Sequence, residues 1–235
     1  KKADSTIFGT TPEGEKIVRH QISNGGTSIS VLSWGATIQE LRVMGESHSL
    51  LLGGRDVAAY LGSMQYFGAV VGPVANRIAG AEMEIAGIRH QLDQNEAGRT
   101  TLHSGVAGYS GRNWRFTNVT PTRCRLELHH PDGLGGIPGN INASVTYTID
   151  NAGHLEIEMT GAADQPTYFN PAFHGYWNLS GSADLSDHRL MVPATSYLAV
   201  DDAQLPLGAP VSVAGSEFDY RHARAIGTRW CLRAG

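Results

Sequence analysis

The chain has 235 residues and a formal net charge of −4, with 18 basic and 22 acidic side chains. This length is sufficient for one large domain with a buried core, so we expect a single domain over residues 1–235. Because there is no basic excess and no run of Lys or Arg, the charge excludes the usual electrostatic signature of nucleic-acid or anionic-membrane binding. We expect a small neutral molecule as the partner.

Targeting and redox signals narrow the class of protein further. No stretch reaches the roughly 18 consecutive apolar residues of a membrane-spanning helix, and the first residues, Lys-Lys-Ala-Asp-Ser, lack the apolar core of a secretion signal. We therefore expect a cytoplasmic protein. Cys124 and Cys231 form neither a disulfide framework nor a metal-binding spacing, so reduced thiols are expected.

Short strands separated by turn residues dominate the pattern along the chain. Residues 27–34 and 36–43 alternate apolar and polar side chains around Gly35, as half-buried strands of a hairpin do. Asp150-Asn-Ala-Gly153 predicts a hairpin turn, and residues 56–61 predict one helical turn. Further strands are predicted at 81–88 with a turn at Gly87, and at 114–119, 123–129, 142–149, 154–161, 189–192 and 211–213.

This pattern predicts an all-β fold. Strands at this spacing without intervening helices favour a large antiparallel β-sandwich or barrel over a parallel α/β sheet. The 29 glycines and 10 prolines are scattered between the strands as turn residues and do not mark a linker. The fold prediction is therefore one antiparallel β-structure without an internal boundary.

Asn76 and Arg77 are the first residues whose chemistry indicates a binding site. They follow a Gly-Pro break and precede a predicted strand. A guanidinium fork beside an amide provides donors for sugar hydroxyls or for a carboxylate. The competing interpretation is a structural arginine bonded to loop carbonyl groups.

Two histidines in crowded surroundings are candidates for acid–base chemistry, because imidazole exchanges protons near neutral pH. His103 stands in Thr-Leu-His-Ser-Gly, at the edge of a predicted sheet where loops form pockets. His174 stands in Asn-Pro-Ala-Phe-His-Gly-Tyr-Trp-Asn, where aromatic rings could stack on the apolar face of a sugar. The competing interpretations are a hydrogen-bonded loop histidine and a buried aromatic cluster.

A metal site is not expected at the adjacent pair His129 and His130. Neighbouring residues of a strand point to opposite faces and so cannot chelate one ion. We predict a solvated strand end there.

In their order along the chain, several motifs from about Gly25 onward resemble the aldose 1-epimerase, or galactose mutarotase, family. The landmarks are Gly35-Ala-Thr, Asn76-Arg77-Ile78, Leu102-His103-Ser-Gly105, Gly136-Ile-Pro-Gly-Asn140, Asn170 to Leu179, Tyr197-Leu-Ala-Val-Asp201, and Gly215 to Arg221 with Ile226-Gly227.

The resemblance implies a β-sandwich that binds a free aldose and interconverts its anomers by opening and reclosing the ring, without a cofactor or metal. It implies that His174 is the general acid that protonates the ring oxygen. His103 is expected to hydrogen-bond the sugar near that oxygen. Asn76, Arg77 and Tyr176 are expected to bind the substrate.

The sequence departs from the family at its end. The family's general base is a Glu that follows an Asp-His segment, and the sequence stops at Cys231-Leu-Arg-Ala-Gly235, before both. We expect the sequence to be a part of a longer chain that lacks its C-terminal strands. The alternatives are that a second polypeptide supplies those strands, or that catalysis has been lost.

Two alternatives to an aldose 1-epimerase therefore stay open at this point. One is a noncatalytic carbohydrate-binding protein of the same fold. The other is a hexose-6-phosphate 1-epimerase, for which Arg99 and Arg112 are the nearby cationic candidates, although they form no cluster. The residues Pro171, Phe173 and Trp177, which replace more usual family residues, predict a shifted substrate preference around His174.

Overall fold

The structure, a computed structural model, describes residues 5–226. Within them the chain divides into two compact units, of which the first ends at Trp177 and the second begins at Asn178. A single domain over residues 1–235 stays a prediction.

Strands make up most of the regular secondary structure of the first unit, as predicted. In chain order they are β1 (Ser5–Thr10), β2 (Lys16–Asn24), β3 (Thr27–Leu32), β4 (Ile38–Val43), β5 (Ala69–Val71), β6 (Arg77–Ile78), β7 (Glu82–Ile85), β8 (Ile88–Gln91), β9 (Thr101–Leu102), β10 (Arg115–Val119), β11 (Arg123–His130), β12 (Ile141–Ile149), β13 (Leu155–Ala163) and β14 (Ala172–His174). The predicted helical turn is the helix α1 (Val57–Leu61), whose capping residue Asp56 accepts a hydrogen bond from the Ala59 N–H at 2.9 Å.

Two four-stranded antiparallel sheets form the sandwich, in the orders β1-β2-β3-β4 and β10-β11-β12-β13. Their inward-facing side chains pack into one hydrophobic core, which includes Ile29 from the first sheet and Leu126 and Val145 from the second. The buried Tyr147 hydroxyl on β12 donates to the Ala36 carbonyl at 2.5 Å and so joins the second sheet to the β3–β4 connection. The predicted all-β sandwich is confirmed.

Three short antiparallel ladders extend the unit beyond these sheets: β5 with β14, β6 with β9, and β7 with β8. In the first ladder His174 is opposite Ala69, and in the second Arg77 is opposite Leu102. Since β5 and β6 follow each other closely in the chain, these ladders hold the ends of β9 and β14 in one region. That region contains the candidate site.

The second unit has four strands of two residues each among its described residues. β15 (Arg189–Leu190) pairs with β18 (Arg224–Ala225), and β16 (Ser196–Tyr197) pairs with β17 (Val211–Ser212). The Tyr197 and Phe218 rings lie 4.5 Å apart, and the Arg224 guanidinium lies over the Tyr220 ring at 4.4 Å. These contacts are part of the side-chain packing within the unit.

The sequence-predicted strands coincide with observed ones, but two details differ. The segment predicted as a strand at 81–88 is the start of a hairpin, because β7 ends at Ile85 and β8 begins after the turn at Gly87. The prediction of a solvated strand end is wrong for His130, which is fully buried with Nε2 3.1 Å from the Leu134 carbonyl. His129 is exposed, so the two rings do lie on opposite faces.

Cys124 is a buried free thiol, and burial raises its pKa to about 12. Cys231 and Gly227 lie outside the described residues. Within residues 5–226, no helix is long and apolar enough to span a bilayer.

Candidate active site

His103 and His174 are brought together by the two short ladders. His103 directly follows β9, and His174 is the last residue of β14. Their imidazole rings meet edge to face, with 5.1 Å between centroids and an interplanar angle of 89°. The structure therefore brings together the two histidines that the sequence singled out.

His103 is held from both sides by Asn76. The Asn76 N–H donates to His103 Nδ1 at 2.9 Å, and the His103 N–H donates to the Asn76 carbonyl at 3.0 Å. Because Nδ1 accepts a hydrogen bond, it carries no proton, and the neutral ring bears its proton on Nε2. Both residues have left-handed backbone conformations, with φ of 64° at Asn76 and 52° at His103.

Both imidazole pKa values are lowered, and burial is the main cause in each case. At His103, burial lowers the pKa to about 4; the His174 and Arg77 charges act in the same direction, and the Glu96 carboxylate acts against them. The pKa of His174 is lowered as well. At neutral pH the His103 ring is therefore uncharged, and the lowered pKa values mean that a proton placed on either ring leaves readily.

Arg77 reaches a carboxylate. Its Nε and Nη2 donate to the two oxygens of Glu96, each at 2.8 Å, in a bidentate pair whose side chains are about one quarter exposed. Arg77 is therefore bonded to a loop carboxylate instead of the loop carbonyl groups considered as the alternative. Glu96 could not be singled out from the sequence, because a polar loop does not show which of its side chains contacts a neighbouring strand.

Aromatic rings surround the two histidines. The Tyr66 ring lies 4.8 Å from that of His103 and 5.8 Å from that of His174. Tyr176 lies 5.3 Å from His174 and stacks on Phe67 at 3.8 Å, with the planes only 8° apart. The sequence predicted Tyr176 as a site residue but missed Tyr66 and Phe67, whose only signal is an aromatic pair shortly before β5.

Phe173 and Trp177 differ in their surroundings from the aromatic rings beside His174. Phe173 packs against the main core, as expected for the residue that precedes His174 on a strand and so points to the other face. Trp177 is 44% exposed and lies 6.4 Å from Phe173, ring to ring. The Phe173 substitution therefore acts on core packing, whereas Trp177 offers an exposed ring.

The site is built from uncharged rings, amides and one neutralised arginine. Within residues 5–226, no group of three or more His, Cys, Asp or Glu side chains is arranged to hold a metal ion. Neutral donors with stackable rings are the groups that bind the hydroxyls and the apolar face of a sugar.

The fold is that of the galactose mutarotase class of β-sandwiches. A crystal structure described as galactose 1-epimerase from Lactobacillus acidophilus NCFM superimposes with a TM-score of 0.84 at 28% identity, covering 96% of this chain and 67% of that one. The chain belongs to the aldose 1-epimerase family, whose family model matches residues 19–232. The resemblance seen in the sequence motifs is thus confirmed.

Curated relatives agree with this assignment. The galactose mutarotase of Mus musculus is 36% identical over 95% of this chain and 66% of its own length. The maltose epimerase of Levilactobacillus brevis is 34% identical over 86% of this chain and 61% of its own length. The chain spans about two thirds of the length of the mouse relative.

Proposed function

We propose that this chain carries the site of an aldose 1-epimerase, which interconverts the α and β anomers of a free aldose. The observation that carries the proposal is the pair of facing imidazoles, His103 and His174, one of which is fixed as an N–H donor. A family member with this pair has the groups needed to bind a ring oxygen and to move a proton to it.

Ring opening removes the proton of the anomeric hydroxyl, forms the C1 carbonyl, breaks the bond from C1 to the ring oxygen, and protonates that oxygen. Ring closure on the opposite carbonyl face reverses these steps and gives the other anomer. The reaction is balanced without a net change of protons. It therefore needs one group that gives a proton and one that takes it, and both must work in either direction.

The tautomer of His103 supports different roles for the two histidines. A second proton on His103 would fall on Nδ1 and break the hydrogen bond from the Asn76 N–H. We therefore assign His103 as the fixed Nε2–H donor to the ring oxygen and His174 as the general acid. The base that takes the anomeric proton is assigned to none of residues 5–226.

Asn76, Arg77 and Tyr176 are proposed to bind the sugar. The Arg77–Glu96 pair favours a neutral sugar over a phosphosugar, since a guanidinium already neutralised by a carboxylate attracts a phosphate weakly. Arg112, the cation considered for a phosphosugar, has a buried Nη1 atom and acts instead on the pKa values of the buried Tyr109 and His130.

The sequence composition supports two further parts of the proposal. A net charge of −4 without a basic cluster supports a partner that is a small aldose and not a nucleic acid or a membrane surface. A cytoplasmic location is proposed on the same sequence grounds.

Polarimetry tests the proposal. The optical rotation of freshly dissolved α-D-glucose, α-D-galactose and maltose is followed with and without the protein, and we expect faster equilibration of at least one of them. Calorimetric titration with the same sugars identifies the alternative of a noncatalytic sugar-binding protein. Binding without any acceleration would replace the enzymatic proposal with that alternative.

A further inference from the structure

The loop before β9 places one carboxylate, that of Glu96, against the sugar-binding arginine. Glu96 is fixed through its backbone, because its N–H and carbonyl both pair with Thr100 across a tight turn in which Ala97 and Gly98 have positive φ. Thr100 itself is 5% exposed. The carboxylate therefore projects from a defined point and not from a freely moving loop.

The same loop is tied to the strand that leads to His103. The Asn95 side chain accepts from the Leu102 N–H at 2.8 Å and donates to the Leu102 carbonyl at 3.0 Å. Leu102 in turn is the residue opposite Arg77 in the β6–β9 ladder. The position of Glu96 is thus coupled to both Arg77 and His103 by short hydrogen-bonded paths.

The geometry of the guanidinium shows what this carboxylate can do. An arginine has five N–H donors in a rigid planar fork. Glu96 takes two of them, one on Nε and one on Nη2. Three donors remain, and the bidentate pair fixes the direction in which they point.

We propose that Glu96 is a positioning residue for sugar binding, which orients the three remaining donors of Arg77 toward the hydroxyl groups of an aldose. This inference rests on the proposed function and deepens it. Glu96 does not touch the reacting atoms in this role and acts through Arg77. Its carboxylate also offsets the effect of the Arg77 charge on His103, because Arg77 lowers the pKa of that imidazole and Glu96 raises it.

Kinetic analysis of Glu96→Gln tests the inference. The amide keeps the size of the side chain, but its NH₂ group faces an Arg77 donor, so one arm of the pair is lost. We expect KM to rise about tenfold with little change in kcat, as for loss of one charge-assisted hydrogen bond that orients a ligand. Glu82→Gln is the matched control, because it breaks an exposed pair with Arg89 outside the site, and its KM should equal that of the wild type.

A double-mutant cycle shows whether Glu96 acts through Arg77. In the Arg77→Ala background the substitution Glu96→Gln should have no further effect on KM. An unchanged KM in the single variant, or an equal loss in both backgrounds, would overturn the inference.

Failure of the proposed function looks different from failure of this inference. If the wild-type protein binds a sugar without accelerating anomer exchange, the enzymatic proposal fails. Calorimetric dissociation constants of the four proteins of the double-mutant cycle and of the Glu82→Gln control then replace KM, and the same pattern is expected. If the wild-type protein neither accelerates exchange nor binds any aldose, the role of Glu96 is overturned together with the function.

Discussion

Asn76 and His103 are hydrogen-bonded to each other in both directions, from the Asn76 N–H to the imidazole Nδ1 at 2.9 Å and from the His103 N–H to the Asn76 carbonyl at 3.0 Å. A residue proposed to bind sugar thus determines the tautomer of a proposed catalytic histidine. The imidazole is left with a single proton on Nε2. The two residues therefore act as one unit in which neither can be replaced without consequences for the other.

The substitution His103→Asn separates the two functions of this ring. The asparagine Oδ1 lies close to the former Nδ1 position and can accept from the Asn76 N–H, and asparagine tolerates the φ of 52° found here. The Nε2–H donor is lost, so we expect kcat to fall about 10²-fold with the fold preserved. Polarimetry gives the rate and circular dichroism the fold. A variant as active as the wild type would remove His103 from the mechanism.

His174→Gln removes the proposed general acid but keeps a polar side chain of similar size. We expect kcat to fall by about 10²–10⁴, because proton transfer to the ring oxygen is lost. His154→Gln is the control, since that histidine is 80% exposed and pairs with Asp150 away from the site. Should the two variants behave alike, His174 is not the acid.

Stability should fall below about pH 6.5 because of His103. Its pKa is about 4 in the folded protein and 6.5 in the unfolded chain, so the unfolded chain binds more protons between these values. The stability that the neutral His103 ring contributes is fully present above pH 6.5. It is lost as the pH falls toward 4, and the total loss is on the order of 3 kcal/mol. Urea unfolding of the wild type and His103→Asn across this window measures it.

The gap in unfolding free energy, taken as wild type minus His103→Asn, should decrease steadily as the pH falls from 6.5 toward 4. Partly buried His20 and buried His130 also have lowered pKa values, but they titrate in both proteins and cancel in the comparison. A gap that stays constant from pH 7 to 4 contradicts the lowered pKa of His103.

Tyr147→Phe tests the link between the second sheet and the β3–β4 connection. The change leaves the buried Ala36 carbonyl without its hydroxyl donor, so we expect a loss of about 1–3 kcal/mol in the free energy of unfolding. Tyr168→Phe is the matched control, because its hydroxyl bonds the Glu84 carbonyl at 3.1 Å on an exposed residue. We expect a change there of under about 0.5 kcal/mol. Equal losses would show that burial of the bond is irrelevant.

Six of the eight sandwich strands, β3, β4 and β10 to β13, could be predicted because they are long enough to show a period, whereas β1 and β2 were not predicted. β11 alternates buried and exposed side chains from Arg123 to His130, and the Asp150–Gly153 turn has the expected hairpin chemistry. β5 was missed because its three residues are all buried and show no alternation. β6 and β9 have two residues each. A strand of that length shows no period in the sequence and forms only through its long-range pairing.

The candidate site was predicted in its residue types but not in its contacts. His103, His174 and Tyr176 stood out because their chemistry is unusual in a chain of turns and strands. Tyr66 and Glu96 did not, since an aromatic ring and a carboxylate are common and only the folded chain shows their partners. The carboxylate on Arg77 is such a partner, and sequence spacing holds no information about it.

The ladder of β5 and β14 has a consequence for how the protein folds. It consists of three residue pairs, and the chain between its strands contains the whole second sheet, β10 to β13. Closing so long a loop costs more chain entropy than three pairs recover, so we expect the ladder to form only after that sheet has folded. During refolding, the tryptophan fluorescence change that accompanies burial of Trp114 in the core should therefore precede the return of sugar binding. Simultaneous recovery of the two signals would contradict this order.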